Sequence, residues 1–280
     1  MAGFGIKTAP QTDDWEGMLA IWRAADELDI FETAWVFDHL YPLRRHPSNP
    51  CLESWVTLSA LAQATSRLRI GSMVNGMHFR HPAVTANAAA SLDIVSGGRL
   101  NLGLGAGWYE AEAEAYGLEL GTVGERMTRF EEGLEVIVGL LTQETTTFHG
   151  EFYDLEEAWC EPKGPQQPHP PIVIGGTGER RTLRAVAKWA QWWDALMSDP
   201  AEWTRLYGVL EAHCADLGRD PSEITTSVHV RTGDKSAGEL ADHAASLFDI
   251  GVDVAIFGFT SPYDPDQLGE LAVALEPLRD

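Results

Sequence analysis

Short apolar runs rich in β-branched and aromatic residues alternate along this chain with longer stretches whose apolar residues recur at helical spacing. That alternation predicts repeated strand–helix units around a parallel sheet. The strands fall at Phe4–Thr8, Thr33–Phe37, Leu68–Val74, Leu100–Leu104, Ile172–Ile174, Trp192–Leu196, Ile224–Val230 and Val254–Phe259. The helices that follow them fall at Trp15–Leu28, Ser54–Thr65, Pro82–Ser96, Glu125–Leu141, Arg180–Trp189, Pro200–Leu217, Ala237–Ile250 and Pro265–Leu278. In the first helix Met18, Leu19, Trp22 and Ala25 mark one face, and Gly218 ends the helix before it as a C-terminal glycine commonly does. Between 142 and 170 the period breaks into Thr-, Pro- and Gln-rich text, which reads as an insertion carrying a hairpin over Thr146–Leu155. Eight units in 280 residues predict an α/β fold, a closed (β/α)8 TIM barrel forming a single domain over 1–280, with the insertion after the fourth unit.

Charge narrows the partners. The 42 acidic against 20 basic side chains give a formal net charge of −22, a surface that repels nucleic acid and anionic membrane. Cys51, Cys160 and Cys214 are odd in number, widely spaced and without a CxxC pair, so they predict neither a disulfide framework nor a zinc site. The nine histidines do not cluster at metal-ligand spacing, and no metal is expected. The N-terminal text lacks a basic region followed by an apolar run, and no apolar stretch approaches the roughly 20 residues that span a bilayer. A cytoplasmic protein is expected.

In such barrels ligands lie at the C-terminal ends of the strands. After the second strand stands Asp38-His39, where a histidine can give or take a proton near neutral pH and the adjacent carboxylate can orient it. The alternative is a buried structural pair. After the third strand, Met73-Val74-Asn75-Gly76 offers a small polar turn, followed by Arg80 and His81, which read as surface charges. After the fourth, Gly103-Leu104-Gly105-Ala106-Gly107-Trp108 strips side chains from backbone that an anionic group can approach. Its spacing is GxGxG with Trp108 and Tyr109 following, which rejects the dinucleotide fingerprint. After the fifth, Gly175-Gly176-Thr177-Gly178 leads to a helix start with arginines nearby, a second phosphate cradle or else a tight turn needing glycine torsions.

The segments WVFDHLYPL (35–43), RHPAVTANAAASLDIVSGGRLNLGLGAGWYEAEAEAYG (80–117), RMTRFEEGLEVI (126–137) and PIVIGGTGERRTLRAVAKWA (171–190) resemble the luciferase-like superfamily, in its F420-dependent oxidoreductase branch. The resemblance implies a deazaflavin whose ring lies across the barrel mouth, with its phosphate on backbone amides of Gly105 to Trp108 and Gly175 to Thr177. It also implies a non-prolyl cis peptide near Met73-Val74 against one ring face, Asp38 and His39 beside the ring, and Asn75 at its polar edge. In the sugar-phosphate dehydrogenases of this family a glutamate stands where this chain has Trp108 and a tryptophan where it has Leu43, which speaks against sugar-phosphate oxidation here.

The reaction expected is hydride transfer between the deazaflavin and a small organic substrate, in the reductase direction, with His39 assisting proton transfer and Asp38 fixing the imidazole. The alternatives are an FMN-dependent monooxygenase on the same barrel, and a cofactor-binding protein without turnover. Family resemblance suggests a homodimer.

Overall fold

The computed structural model describes residues 2–196 and 199–279. Eight parallel strands close into a barrel: β1 (Gly3–Thr8), β2 (Thr33–Val36), β3 (Arg69–Ser72), β4 (Leu100–Gly105), β5 (Ile172–Gly175), β6 (Trp192–Asp194), β7 (Thr225–Arg231) and β8 (Val254–Phe259). Neighbours in the ring are neighbours in sequence, and pairing of β1 with β8 (Thr8 opposite Phe259) closes it. The expected (β/α)8 barrel is the fold observed.

The connecting helices are α1 (Trp15–Glu27), α2 (Ser54–Ala64), α3 (Pro82–Val95), α4 (Glu110–Ala115), α5 (Val123–Thr142), α6 (Thr182–Trp189), α7 (Pro200–Leu217), α8 (Ala237–Phe248) and α9 (Pro265–Leu275). Helix α5 starts two residues earlier than its apolar period suggests. Thr122 caps it reciprocally with Glu125, satisfying amides that the first turn would otherwise leave free. Helix α7 has the bounds read from the sequence, and Gly218 takes the left-handed conformation (φ 66°) that lets the chain leave it.

Strand alternation sorts side chains into two layers. In β8, Ala255, Phe257 and Phe259 face the helices, whereas Val254 and Ile256 belong to a small cluster inside the barrel with Trp35, Met73, Val173 and Trp192. The outer layer holds most of the large side chains, among them Trp22, Trp193, Trp203, Phe4 and Phe257, all nearly inaccessible to solvent.

The insertion carries a hairpin of Thr146–His149 against Asp154–Ala158. Its second strand extends three residues beyond the expected end at Leu155. On the return to the barrel, the Gln166 side-chain amide donates to the Leu100 carbonyl and to the buried Asp93 carboxylate, both at 2.7 Å. That anchor lies at the N-terminal end of β4, opposite the mouth. Among the described residues no helix is long and apolar enough to cross a membrane.

Candidate active site

The mouth is assembled from four strand ends. After β3 the chain does not continue as a regular strand through Val74. It breaks at Met73-Val74, which are joined by a cis peptide bond, and resumes as the two-residue strand Asn75–Gly76 beside Leu104 and Gly105. The Val74 side chain occupies the space that glycines leave. A Cβ placed on Gly105 would lie 2.7 Å from its Cγ2, and one on Gly175 would lie 3.2 Å from both its methyl carbons. The turn after β3 and the two glycine segments are therefore brought together around one side chain.

Asn75 is buried, and its amide nitrogen donates to the Gly103 carbonyl at 2.7 Å. Its Oδ1 has no partner among the described residues. Gly107 has φ 86°, and an added Cβ would meet His78 Nδ1 at 2.3 Å. Both ring nitrogens of His78 are buried without a partner, and burial pushes this imidazole down to about 4. The backbone amides of Ala106, Gly107 and Trp108 donate to no backbone or side-chain acceptor among the described residues, so this loop keeps donors free for an anion. Trp108 is 61 % exposed and stacks on Tyr109.

The second cradle is narrower than the sequence suggests. The Gly176 amide donates to the Asp194 carbonyl at 3.1 Å, which occupies it, and Thr177 is exposed. Helix α6 begins at Thr182 without a side-chain cap. The nearby Arg181 is held at 2.6 Å by Glu131 of α5, so its charge is already matched away from the turn.

The pairing of Asp38 with His39 is corrected by the structure. Asp38 is buried and takes both guanidinium nitrogens of Arg80, at 2.6 and 3.1 Å, with the Gly76 amide at 3.3 Å. Arg80 also pairs with Glu53, the N-cap of α2. Arg80 is thus a partly buried ion partner rather than a surface charge. A buried carboxylate needs a cation more than a neutral imidazole does, and the bidentate fork of an arginine meets that need.

The partner of His39 is Glu112, from the short helix α4 that the sequence reading passed over. Glu112 Oε2 lies 2.8 Å from His39 Nδ1, and Oε1 accepts from the Tyr41 amide at 2.7 Å and from the Leu40 amide. Burial works against its charge, but the hydrogen bonds from His39, Tyr41 and Leu40 outweigh it and hold the carboxyl below its ordinary value. An ionised carboxylate only accepts, so His39 Nδ1 carries a proton and Nε2 is the ring nitrogen left outside the pair. Nε2 has no hydrogen-bond partner among the described residues. Phe37, Phe79, Trp108 and Tyr109 surround the ring edge-on at 5.5 to 6.4 Å. Glu112 was hidden in the repetitive EAEAEA text; only burial separates it from Glu110 and Glu114, which are exposed.

Among the described residues no group of three or more metal-ligating side chains is drawn together.

This chain belongs to the luciferase-like monooxygenase family, whose profile matches residues 2–264. It is 28% identical over 264 residues to an uncharacterized protein of Mycobacterium tuberculosis, covering 87% of this chain and 86% of that one. It is 34% identical over 154 residues to the F420-dependent glucose-6-phosphate dehydrogenase of Amycolatopsis mediterranei, a match covering 54% of this chain and 45% of the relative. Among solved structures, an F420-dependent secondary alcohol dehydrogenase in complex with an F420-acetone adduct superposes with a TM-score of 0.89 at 17% identity, over 100% and 99% of the two chains.

Proposed function

We propose that this protein is an F420-dependent oxidoreductase, one luciferase-like barrel domain that exchanges a hydride between the deazaflavin and a small organic substrate in the reductase direction. The observation that carries the reading is a mouth with unmet polar capacity. Asn75 Oδ1 and the His78 nitrogens are buried without partners, and the loop 106–108 keeps its amides free. Buried polar groups are normally paired, so these fit a flat polar ring and an anionic tail. When bound, F420 would supply the two-electron hydride chemistry. Met73, Val74 and Asn75 would hold the ring, with Gly105 to Trp108 and the exposed turn at Thr177 holding the phosphate.

His39 is the group for proton transfer. Glu112 keeps Nδ1 protonated, so Nε2 is the atom that gives a proton to the substrate in the reductase direction and takes one in the reverse reaction. The four aromatic rings around the imidazole make an apolar wall there and favour an uncharged organic substrate. The absence of a glutamate at Trp108 and of a tryptophan at Leu43 supports a substrate other than a sugar phosphate.

Titration of the apoprotein with F420 and with FMN, followed by tryptophan fluorescence, tests the cofactor. Micromolar F420 binding with much weaker FMN binding supports the reading; preference for FMN would move the protein to the monooxygenase reading that the family description favours, and binding of neither would remove both. His39→Ala should keep F420 affinity while turnover falls about 100-fold or more, the usual contribution of a general acid or base. Unchanged turnover would take His39 out of the reaction.

A homodimer is part of the proposal. The adjacent helices α2 and α3 expose Val56 (72 %), Val84 (57 %), Val95 and Ile94, and their only charged residue is the buried Asp93. On a chain of net charge −22 such a face suits a second copy, which buries it without opposing charges. Light scattering should give twice the 30.7 kDa chain mass; the single-chain mass would refute it.

A further inference from the structure

Three ionisable side chains inside the barrel take no part in the chemistry assigned to His39: Lys7 of β1, Asp194 at the end of β6 and His229 of β7. Each occupies an inward position, because Ile6, Trp193, Val228 and Val230 beside them face the outer layer. Inward positions of such barrels are filled mainly by branched apolar residues, so this set is out of character for a packing core. Its contacts converge on one residue. Lys7 Nζ donates to the Met73 carbonyl at 3.1 Å, and His229 Nε2 lies 3.3 Å from the Met73 sulfur and 3.1 Å from Asp194 Oδ2. The other Asp194 oxygen accepts from the Ser227 hydroxyl at 3.0 Å, and that hydroxyl accepts from the Trp192 indole at 2.8 Å.

The charges sort themselves. Burial keeps His229 below its ordinary value against the pull of Asp194, and Lys7 and Arg231 add to the lowering. With His229 neutral, Lys7 and Asp194 carry opposite charges in the barrel interior, with no direct ion pair between them among the described residues. Burial pushes the Lys7 ammonium down to about 8, with Asp194 working the other way. The result is a strut from β6, β7 and β1 across the barrel to the turn after β3.

We propose that Lys7 is a positioning residue: its ammonium, with the Asp194 carboxylate in the same interior, holds the Met73 carbonyl and thereby fixes the Met73–Asn75 backbone on which the cofactor ring would rest. The consequence for the ring depends on the F420 reading; the hold on Met73 does not.

The test uses the full chain as wild type, Lys7→Met and Asp194→Asn. Amide hydrogen exchange of the apoprotein at pH 7 should be about 10-fold faster over residues 73–79 in Lys7→Met, the loss of one charge-assisted hydrogen bond, with segments elsewhere unchanged. Equal exchange in that segment overturns the hold. F420 affinity of the wild type should weaken as pH rises through about 8, when the ammonium is lost. Lys7→Met should bind about 10-fold more weakly at pH 7 and show no such step, whereas Asp194→Asn should move the step to lower pH, since Asp194 sustains the ammonium. A Lys7→Met curve identical to the wild type overturns the role in ring positioning. Failure of the wild type to bind F420 would instead sink the cofactor reading, and the exchange result alone would then decide the hold on Met73. If Lys7→Met does not fold, Lys7→Gln, a donor without charge, is read in its place: faster exchange and a flat pH profile support the proposal, and wild-type behaviour in both overturns it.

Discussion

The two layers that share the barrel strands are built for different ends. The outer layer, between strands and helices, is apolar almost throughout: Phe4 packs on Phe257 and Phe248, and Trp193 stacks toward Trp203. The inner layer gives the same strands Lys7, Asp194, Ser227 and His229, and at the mouth leaves Asn75 and His78 with unused hydrogen-bonding atoms. Burying apolar area stabilises the fold, whereas burying charges and unpaired polar groups costs free energy unless partners offset it. Stability is therefore concentrated outside the barrel wall and unmet polar capacity inside it, a division that substitutions can test.

The largest effect on stability belongs to the outer layer. Phe257→Ala should cost about 3–5 kcal/mol, from the lost transfer free energy and the cavity left behind. Denaturant unfolding should show the midpoint falling at unchanged slope, and a loss below about 1 kcal/mol would contradict the division. Next comes the mouth. Glu112→Gln keeps an acceptor for the Leu40 and Tyr41 amides but offers His39 an NH2 donor, reversing the tautomer so that Nε2 carries the proton. Turnover should fall about 10- to 100-fold, the worth of a charged hydrogen bond, while the melting temperature stays near that of the wild type. Equal turnover would show that the orientation of His39 does not depend on Glu112.

The smallest effect is one of pH. His78 is pushed from 6.5 down to about 4, so the unfolded chain binds more protons than the folded one between those values. Stability from this group is therefore complete above about 6.5, falls as the pH drops toward 4 and is level below. The loss is about 2 kcal/mol at most, after discounting for the partial exposure of the ring. A His78→Phe variant should show a shallower acid limb in urea titrations over that window, and an identical limb would place the acid sensitivity elsewhere.

Legibility followed the same division. Period-2 and period-3.6 patterns produced the strands and helices because the outer layer is apolar and its repeat is local. The strand after Leu68 was read too long because Met73 and Val74 are as apolar as a strand interior, and nothing local marks the break. The mouth was partly legible: glycine runs at 103–107 and 175–178 stood out because side chains are missing there. Helix α4 was missed since EAEAEA has no apolar stripe, and Glu112, which pairs with His39, differs from its neighbours only in burial. The inner charges had a faint signature, a single polar residue in the middle of an apolar strand, as in VHV at 228–230.

By itself, then, the sequence determined the barrel, the order of its units and the turns at which a ligand can approach backbone. Which charges meet was decided by closure of the barrel. Asp38 stands next to His39 yet pairs with Arg80, 42 positions away; His39 takes Glu112, 73 away; Lys7 reaches Met73, 66 away. Periodicity is a property of neighbours along the chain, whereas a charge removed from water must take the best partner that folding brings within hydrogen-bond distance, and that partner is set by the tertiary structure.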